Sequence, residues 1–171
     1  LSPGGIQLGE GANFINVPKL YLSTADQLYF AEGIFDIFRS KPSNLRDFTT
    51  NPLPGVFGMR RSEIEEPVML TTGQLPGIHL NGINISLDKE LVVYAPGARV
   101  DVVGSSVVVG TGKVGGRIAL MGDEISVDDE SKLIGSGTKN ARLIEVGGNR
   151  RSSDTRDEEE SVSRDFVASE A

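Results

Sequence analysis

The strongest constraint on the fold is a period-two alternation of apolar and polar residues between positions 78 and 146. Ile83, Ile85 and Leu87 alternate with polar residues, and glycines or paired aspartates separate such runs from one another. Period two is the spacing of side chains that point to one face of a β-strand. The further apolar positions of the pattern are Val100, Val102, Val107, Val109, Ile118, Leu120, Ile125 and Val127.

These runs are too short for each to bury a face alone, so a continuous core requires them to stack coil on coil. A parallel β-helix has roughly three short strands in each turn of the chain, and the spacing of these runs fits that number. A β-sandwich would normally have longer strands joined by hairpin loops, and the spacing alone leaves that alternative open.

The region before residue 78 divides into two parts. Residues 1–33 carry short strand-like runs that end in Gly, Pro or Asp, which is turn punctuation rather than helix capping. These runs are Ile6–Leu8, Asn13–Val17, Lys19–Ser23 and Gln27–Phe30. Prolines interrupt every candidate element in residues 33–77, so we expect an ordered excursion from the main fold there.

Composition excludes several classes of function. The net charge of −7 and the lack of a basic stripe argue against binding to a phosphate backbone. The absence of cysteine excludes disulfides, thiol catalysis and cysteine metal sites. No apolar stretch approaches the roughly 20 residues that a membrane-spanning helix needs.

A glycine-rich segment, residues 110–115, spells G-x-G-x-x-G directly after a strand-like run. A dinucleotide-binding fingerprint needs a helix to begin at its third glycine. Gly116 and another alternating run follow instead, so we interpret the segment as a corner between strands. The sequon Asn84-Ile85-Ser86 indicates an outward-facing polar pair in a strand.

His79 is the only histidine, which excludes a histidine-based metal cluster. It stands between Ile78 and Leu80 in a strand-like run, so we expect its side chain to face away from theirs, towards solvent. The densest acidic cluster before the C-terminal tail is Asp123, Glu124, Asp128, Asp129 and Glu130. Its spacing fits no calcium loop, and a solvated turn is the interpretation we prefer to a calcium site or to paired catalytic carboxylates.

Residues 149–171 are polar and dense in charge, with seven acidic and four basic residues and only Val162, Phe166 and Val167 as sizeable apolar groups. This composition predicts a disordered acidic C-terminal tail. A weak helix over residues 158–168 is the alternative.

The first residues of the chain carry a motif. Ser2-Pro3-Gly4-Gly5-Ile6 forms a turn and the start of a strand, and later segments read Ser-Thr-Ala-Asp at 23–26 and Phe-Ala-Glu-Gly at 30–33. The block resembles the core of the two-partner secretion domain of filamentous-haemagglutinin-like exoproteins. Positions on the family pattern in register are Pro3, Gly5, Ile6, Gly9, Thr24, Ala25, Asp26, Phe30, Ala31 and Gly33.

The chain departs from the family pattern at three positions, and two further segments match it. Ser2 and Gly4 stand where the family has asparagine, and Glu32 stands where it has aspartate. Residues 52–58 resemble the segment through which an extra-helical hairpin leaves the family's β-helix, and residues 115–120 resemble its closing Gly-Gly-Arg-Ile-x-Leu element. The resemblance covers residues 1–148 and implies a partial secretion domain, the second half of a longer one.

Together these observations predict an all-β fold. Residues 1–33 and 78–146 form a right-handed parallel β-helix, residues 33–77 form an extra-helical loop and hairpin excursion, and a disordered tail follows. The core positions that we expect inside are Ile83, Ile85, Val100, Val102, Ile118 and Leu120.

The resemblance implies a non-enzymatic secretion module of an adhesin, secreted to the cell surface across the periplasm and outer membrane. Its partner would be an outer-membrane transporter of the TpsB type with POTRA domains, and self-association through an exposed β-helix edge is a further expectation. The implied secretion and folding motif is Ser2, Pro3, Gly4, Gly5 and Ile6. We expect no catalytic residue, cofactor, metal, nucleic acid or membrane insertion. A β-helical polysaccharide-active enzyme and a structural self-assembling β-helix remain as alternatives.

Overall fold

The computed structural model describes residues 1–41, 46–53, 58–62, 75–110, 115–137 and 143–147. The described chain is all-β. Its strands within these ranges are β1 (Ile6–Leu8), β2 (Lys19–Ser23), β3 (Gln27–Tyr29), β4 (Ile34–Asp36), β5 (Met59–Arg60), β6 (Ile78–Asn81), β7 (Asn84–Leu87), β8 (Glu90–Val103), β9 (Ser106–Val109), β10 (Arg117–Val127), β11 (Lys132–Gly135) and β12 (Leu143–Val146). Across the same ranges no helix has the length and apolarity needed to cross a membrane.

Two parallel sheets form what we call the main stack, consisting of β1, β2 and β6 to β12. One sheet has the order β1-β6-β8-β10-β12, with β2 also paired to β8, and the other has the order β7-β9-β11. The two halves of the long strand β8 pair with different strands. Leu91 in the first half pairs with Leu20 of β2, whereas Val100 in the second half pairs with Ile78 of β6. Gly97, at φ +69°, lies between these two halves of β8.

The strand register therefore aligns the inward side chains of neighbouring strands in three columns, which we call ladders. The first contains Leu20, Leu91, Ile118 and Ile144; the second contains Ile6, Ile78, Val100 and Ile125; the third contains Ile85, Val107 and Leu133. Aliphatic residues from all three ladders share one hydrophobic core. The six residues predicted to lie inside are each at most 1% exposed, which confirms that prediction.

A small antiparallel sheet with the order β4-β3-β5 lies outside the main stack. We call this sheet and the described residues around it, 24–41, 46–53 and 58–62, the excursion. The predicted boundary differs here, because Gln27–Tyr29 already pairs with β4 and β5 rather than with the stack. Its partners, Met59–Arg60, lie about thirty residues downstream, so local sequence gave no sign of this pairing.

The predicted strand at Asn13–Val17 is wrong. Phe14 and Val17 pack against the core, whereas Ile15 is 72% exposed. A regular strand would place Ile15 and Val17 on the same face. Asn16 adopts a left-handed φ of 58°, which turns the chain so that the apolar side chains three residues apart can both face inward.

Several predictions fall partly or wholly outside the described residues. The tail at 149–171 lies beyond them. So do Thr111 to Val114 of the glycine-rich segment and residues 54–57 of the segment at 52–58.

Candidate functional site: the Ser2 turn and the base of the excursion

The predicted motif at Ser2–Ile6 forms a turn that contacts the end of β2 and the residue before β6. The backbone N–H of Gly5 donates to the carbonyl of Ser2 over 3.0 Å, and the Ser2 hydroxyl donates to the carbonyl of Gly5 over 2.7 Å. Pro3 supplies the fixed φ that suits the second position of such a turn. Gly5 has a φ of +100°, and a Cβ there would lie 3.2 Å from the carbonyl oxygen of Gly77.

Two backbone hydrogen bonds tie this turn to the main stack. Ser2 N–H donates to the carbonyl of Ser23 over 2.9 Å, and Ile6 N–H donates to that of Gly77 over 3.1 Å. Ser23 is the last residue of β2, and Gly77 immediately precedes β6. The turn therefore bridges the two points at which the chain leaves the stack and returns to it.

The residues that follow β2 form the junction between stack and excursion. Ser23, Thr24 and Ala25 are fully buried, and Asp26 is 5% exposed. Thr24 N–H donates to the carbonyl of Tyr94 in β8 over 3.2 Å. Ala25 N–H donates to the Ser23 hydroxyl over 3.0 Å, which closes a local turn.

Asp26 organises the base of the excursion. Its carboxylate accepts hydrogen bonds from the backbone N–H of Ser62, at 2.6 Å, and from the Ser62 hydroxyl. Its own N–H donates to Arg60, and its carbonyl accepts from Ile37 over 2.9 Å. One buried aspartate thus holds three separate chain segments together.

Burial lowers the pKa of Arg61 beside this aspartate, and the attraction of Asp26 opposes that shift. Within the described residues, the buried side-chain atoms without a hydrogen-bond partner are Thr24 Oγ1 and Arg61 Nη1. Unpaired buried polar groups cost about 1–3 kcal/mol each. In the part of the chain that the structure describes, the unpaired buried polar groups therefore belong to the base of the excursion.

The Phe-Ala-Glu-Gly segment forms the tip of the β3–β4 hairpin. Phe30 N–H donates to the carbonyl of Gly33 over 2.8 Å, and the Phe30 ring stacks on Phe48 with centroids 4.2 Å apart. Glu32 accepts hydrogen bonds from the hydroxyls of Thr49 and Thr50. These bonds, from Thr50 above all, lower the pKa of Glu32 to about 2.

An apolar layer joins the excursion to the outer face of the main stack. It contains Ala25 and Met59 from the excursion and Val92, Tyr94, Ala119 and Met121 from β8 and β10, with Tyr21 and Leu28 packed against it. The strands β8 and β10 are consequently buried on both faces over this length. This explains why Leu91–Ala95 reads as a continuous apolar run rather than an alternating one.

A ladder of charged residues borders that layer. Glu90 pairs with Lys19 and Arg117 in the strand register. Arg117 lies 2.6 Å from Glu90 and 2.8 Å from Glu145, so one guanidinium on β10 bridges the neighbouring strands β8 and β12. Tyr21 donates to Glu90 over 2.5 Å. Burial, assisted by this carboxylate, raises the pKa of Tyr21 to about 12.

The sequence contains a signal for this ladder. Lys19, Glu90 and Arg117 each precede the inward leucine or isoleucine of the first ladder. Aligning those apolar residues would have placed the charges in one column.

His79 behaves as predicted. Its side chain is 48% exposed and lies opposite buried Ile78 and Leu80, with Nδ1 at 2.8 Å from Asp101. Asp101 also pairs with Arg99, which in turn lies 2.8 Å from Glu124. The sequence could not reveal the His79–Asp101 and Arg99–Glu124 pairs, because they depend on the register between neighbouring strands.

Only the second part of the acidic cluster, Asp128 to Glu130, forms the predicted turn, whereas Asp123 and Glu124 lie in β10. Asp128 accepts from Gly104 N–H over 2.9 Å and from the Ser131 hydroxyl, and the latter bond lowers its pKa. No group of histidine and carboxylate side chains in the described part of the chain is arranged to hold a metal ion. Asn84 and Ser86 both face solvent, as predicted.

Comparisons with known proteins add no relative. A scan against protein-family models, a search of curated proteins and a search of solved structures each found no match to this chain.

Proposed function

We propose that this chain is a secretion module of a two-partner secretion exoprotein, and that its main stack is a right-handed parallel β-helix. The three parallel ladders support the second part of the proposal. Equivalent strands of successive passes pair in parallel, and all three ladders point their aliphatic side chains into one core. A coil that repeats in this way buries its apolar face only against its neighbours.

The observation that carries the functional proposal is the position of the motif residues. The Ser2–Ile6 turn bridges the end of β2 and the start of β6, Asp26 holds the base of the excursion, and Phe30–Gly33 forms its hairpin tip. Three of the segments that resemble the secretion family thus fix a point where the chain leaves, turns or rejoins the stack, which supports the proposal.

The proposed mechanism uses the backbone of the unfolded chain. During export, extended segments pair with strands of the periplasmic POTRA domains of an outer-membrane transporter, because free backbone donors and acceptors give such pairing its affinity. Outside, each coil folds on the previous one. Burial of each new set of aliphatic side chains makes the process directional without ATP.

The test compares two states of the same chain. The proposal predicts a gene for such a transporter beside this one; its purified POTRA domains are immobilised, and the chain is applied either folded or freshly diluted from urea. We expect the unfolded chain to bind and the folded chain not to bind, since folding uses the strand edges internally. POTRA domains from an unrelated transporter serve as the control.

Equal binding of both states, or binding of neither, would contradict the proposal. A matched pair of glycine variants then addresses the motif. Gly5→Val places a side chain at a φ of +100° against Gly77, whereas a Cβ at Gly4 meets no atom within 4 Å. We expect Gly5→Val to reduce the amount of folded protein secreted and Gly4→Val to leave it unchanged.

A further inference from the structure

The strands of the main stack differ in how far along the chain their partners lie. Most of the described parallel pairs join residues that are between twenty-two and twenty-seven positions apart. The two N-terminal strands are the exception. Ile6 of β1 pairs with Ile78, seventy-two positions later, and Lys19 of β2 pairs with Glu90, seventy-one positions later.

This spacing leaves β1 and β2 without their partners while the chain is being made. A chain is synthesised from its N-terminus, so both strands exist before β6 and β8 do. The excursion does not share this delay, since Gln27 of β3 pairs with Asp36 nine positions later. β1 has three residues and β2 has five, so β2 offers the longer row of backbone donors and acceptors. An unpaired strand of this kind is a template for pairing with another chain.

Two leucines give β2 an apolar face. Leu20 pairs with Leu91 and Leu22 pairs with Val93, and both leucines pack against the hydrophobic core of the stack. In strand addition, the backbone hydrogen bonds supply affinity and the alternate side chains supply specificity. A foreign strand that takes the place of β8 must therefore carry aliphatic side chains at alternate positions.

The opposite face of β2 selects for a carboxylate. Lys19 Nζ lies 3.9 Å from a carboxylate oxygen of Glu90, and the Tyr21 hydroxyl donates to the same carboxylate over 2.5 Å. Charged contacts of this kind fix the register of a pairing more than they strengthen it. The foreign strand that fits β2 therefore combines alternating aliphatic residues with an acidic residue beside Lys19.

We infer that β2 is the segment by which an exposed strand of the transporter's POTRA domains captures the unfolded chain, and that β8 later displaces this strand. The inference rests on the proposed role in secretion. The captured state and the folded state use the same edge of β2, so each excludes the other at this strand.

Packing explains why β8 prevails over the foreign strand. β8 pairs with β10 along both of its halves and with β6 along the second. Leu91 and Val93 are fully buried, opposite Ile118 and Leu120 of β10. Pairing with β8 therefore adds the two leucines of β2 to a core that already exists, whereas a single foreign strand buries them only against itself. Formation of the stack thus releases the chain from the transporter.

The first measurement follows strand formation in the full chain alone. The chain is diluted from urea, and its amides are pulse-labelled by hydrogen exchange at increasing times. We expect the amides of β2 to gain protection after those of β9. The longer loop slows closure by up to about fivefold, and by less once the Asp26–Ser62 contact has shortened that loop.

The second measurement locates the captured segment. The chain, freshly diluted from urea, is applied to the same immobilised POTRA domains. Leu20→Pro removes a backbone donor from β2. Val107→Pro is the matched control, because Val107 is likewise the second residue of its strand and belongs to the core side. We expect Leu20→Pro to weaken binding by at least about tenfold and Val107→Pro to leave it unchanged. A failure of either variant to fold does not affect this comparison, since the unfolded chain is the form that binds.

The third measurement tests displacement by β8. The captured chain is left to fold on the immobilised domains, and its release is followed over time. Leu91→Pro disrupts the strand that pairs with Leu20, so we expect it to abolish release. Leu133→Pro disrupts β11, which pairs with β9 and not with β2, so this variant should be released like the parent.

Each measurement has a result that overturns the inference. Equal weakening of binding by Leu20→Pro and Val107→Pro would show that capture is not located at β2. Release of Leu91→Pro at the parental rate, or retention of Leu133→Pro, would show that β8 is not what displaces the foreign strand. Simultaneous protection of β2 and β9 would show that β2 does not pair late. Failure of the unfolded parent to bind would overturn the proposed function and the capture with it, whereas the exchange measurement would still decide the order of pairing.

Discussion

The main stack and the excursion are held together by different kinds of interaction. The stack relies on repeated aliphatic positions, and the hydroxyls of its buried Ser23 and Ser105 are hydrogen-bonded: that of Ser23 accepts from Ala25 N–H, and that of Ser105 accepts from Ile83 N–H and donates to the carbonyl of Val103. The excursion is fixed by single polar contacts around Asp26, and Thr24 Oγ1 has no hydrogen-bond partner among the described residues.

This difference indicates how each region responds to change. In the stack an inward side chain packs against the equivalent side chains of the neighbouring strands. Its truncation therefore reduces packing in the shared core beyond the site of substitution. In the excursion the loss of one contact releases a local unit, because no repeated neighbour compensates for it. Substitutions in the two regions should therefore differ in range as well as in size.

The largest effect is expected for Ile118→Asp. Ile118 is fully buried in the first ladder between Leu91 and Ile144. A carboxylate there has no partner, and the lost packing adds to its desolvation, so we expect a loss of at least about 4 kcal/mol in the free energy of unfolding. Urea denaturation measures it. Because this variant could fail to fold, Ile118→Val provides a milder step of about 1 kcal/mol.

The matched control is Ile134→Asp. Ile134 stands on β11 but faces outward and is 44% exposed, so the same substitution should change stability by less than about 0.5 kcal/mol. Similar losses for Ile118→Asp and Ile134→Asp would show that the inward and outward assignments are not what distinguishes these positions.

The sequence predicts the stack better than the excursion for a physical reason. Alternation is a local property, and it identifies inward positions such as Ile83, Val100 and Ile118 from their neighbours in the chain, whereas the continuous apolar run Leu91–Ala95 does not show which of its residues face inward. Stacking then follows, since short runs can bury their apolar faces only against one another. The bounds of β1 and β2 were predicted correctly on the same basis.

The excursion depends on pairings that local sequence does not encode. Gln27–Tyr29 alternates like a strand of the stack, yet its partners are β4 and the distant Met59–Arg60. The role of Asp26 likewise requires Ser62, thirty-six positions away. The Ser2 turn was recognised as a motif, but its hydrogen bonds to Ser23 and Gly77 become evident only once the coils are stacked.

An intermediate effect is expected for Asp26→Ala. The substitution leaves the backbone N–H of half-buried Ser62 without its acceptor, which should cost about 1–3 kcal/mol. The cost should be local. Hydrogen exchange at Leu28 and Phe35 should accelerate, whereas exchange at Leu91 and Val107 in the stack should stay close to that of the parent.

Asp26→Asn serves as the control, because the amide keeps one oxygen to accept from Ser62. It should lie between Asp26→Ala and the parent. Equal acceleration in the stack and in the excursion would mean that the two regions unfold as one cooperative unit, which would remove the distinction drawn between them.

The smallest effect concerns Tyr21, which lies where the two regions meet. Burial beside Glu90 raises the pKa of Tyr21 to about 12 from its usual 10.0. A raised pKa in the folded state means that the unfolded chain releases this proton first as pH rises. The stability contributed by neutral Tyr21 is therefore complete below pH 10 and is lost as pH rises towards 12.

Tyr21→Phe should consequently cost about 1 kcal/mol at neutral pH, where the hydrogen bond to Glu90 is lost. Its disadvantage should shrink as pH rises above 10, because phenylalanine has no proton to lose. Ultraviolet titration of the parent against Tyr21→Phe should isolate one tyrosinate with a midpoint near 12. In Glu90→Gln the negative charge is gone but burial remains, so the midpoint should fall while staying above 10. A midpoint at the ordinary value in the parent would show that Tyr21 is not enclosed between the excursion and the stack.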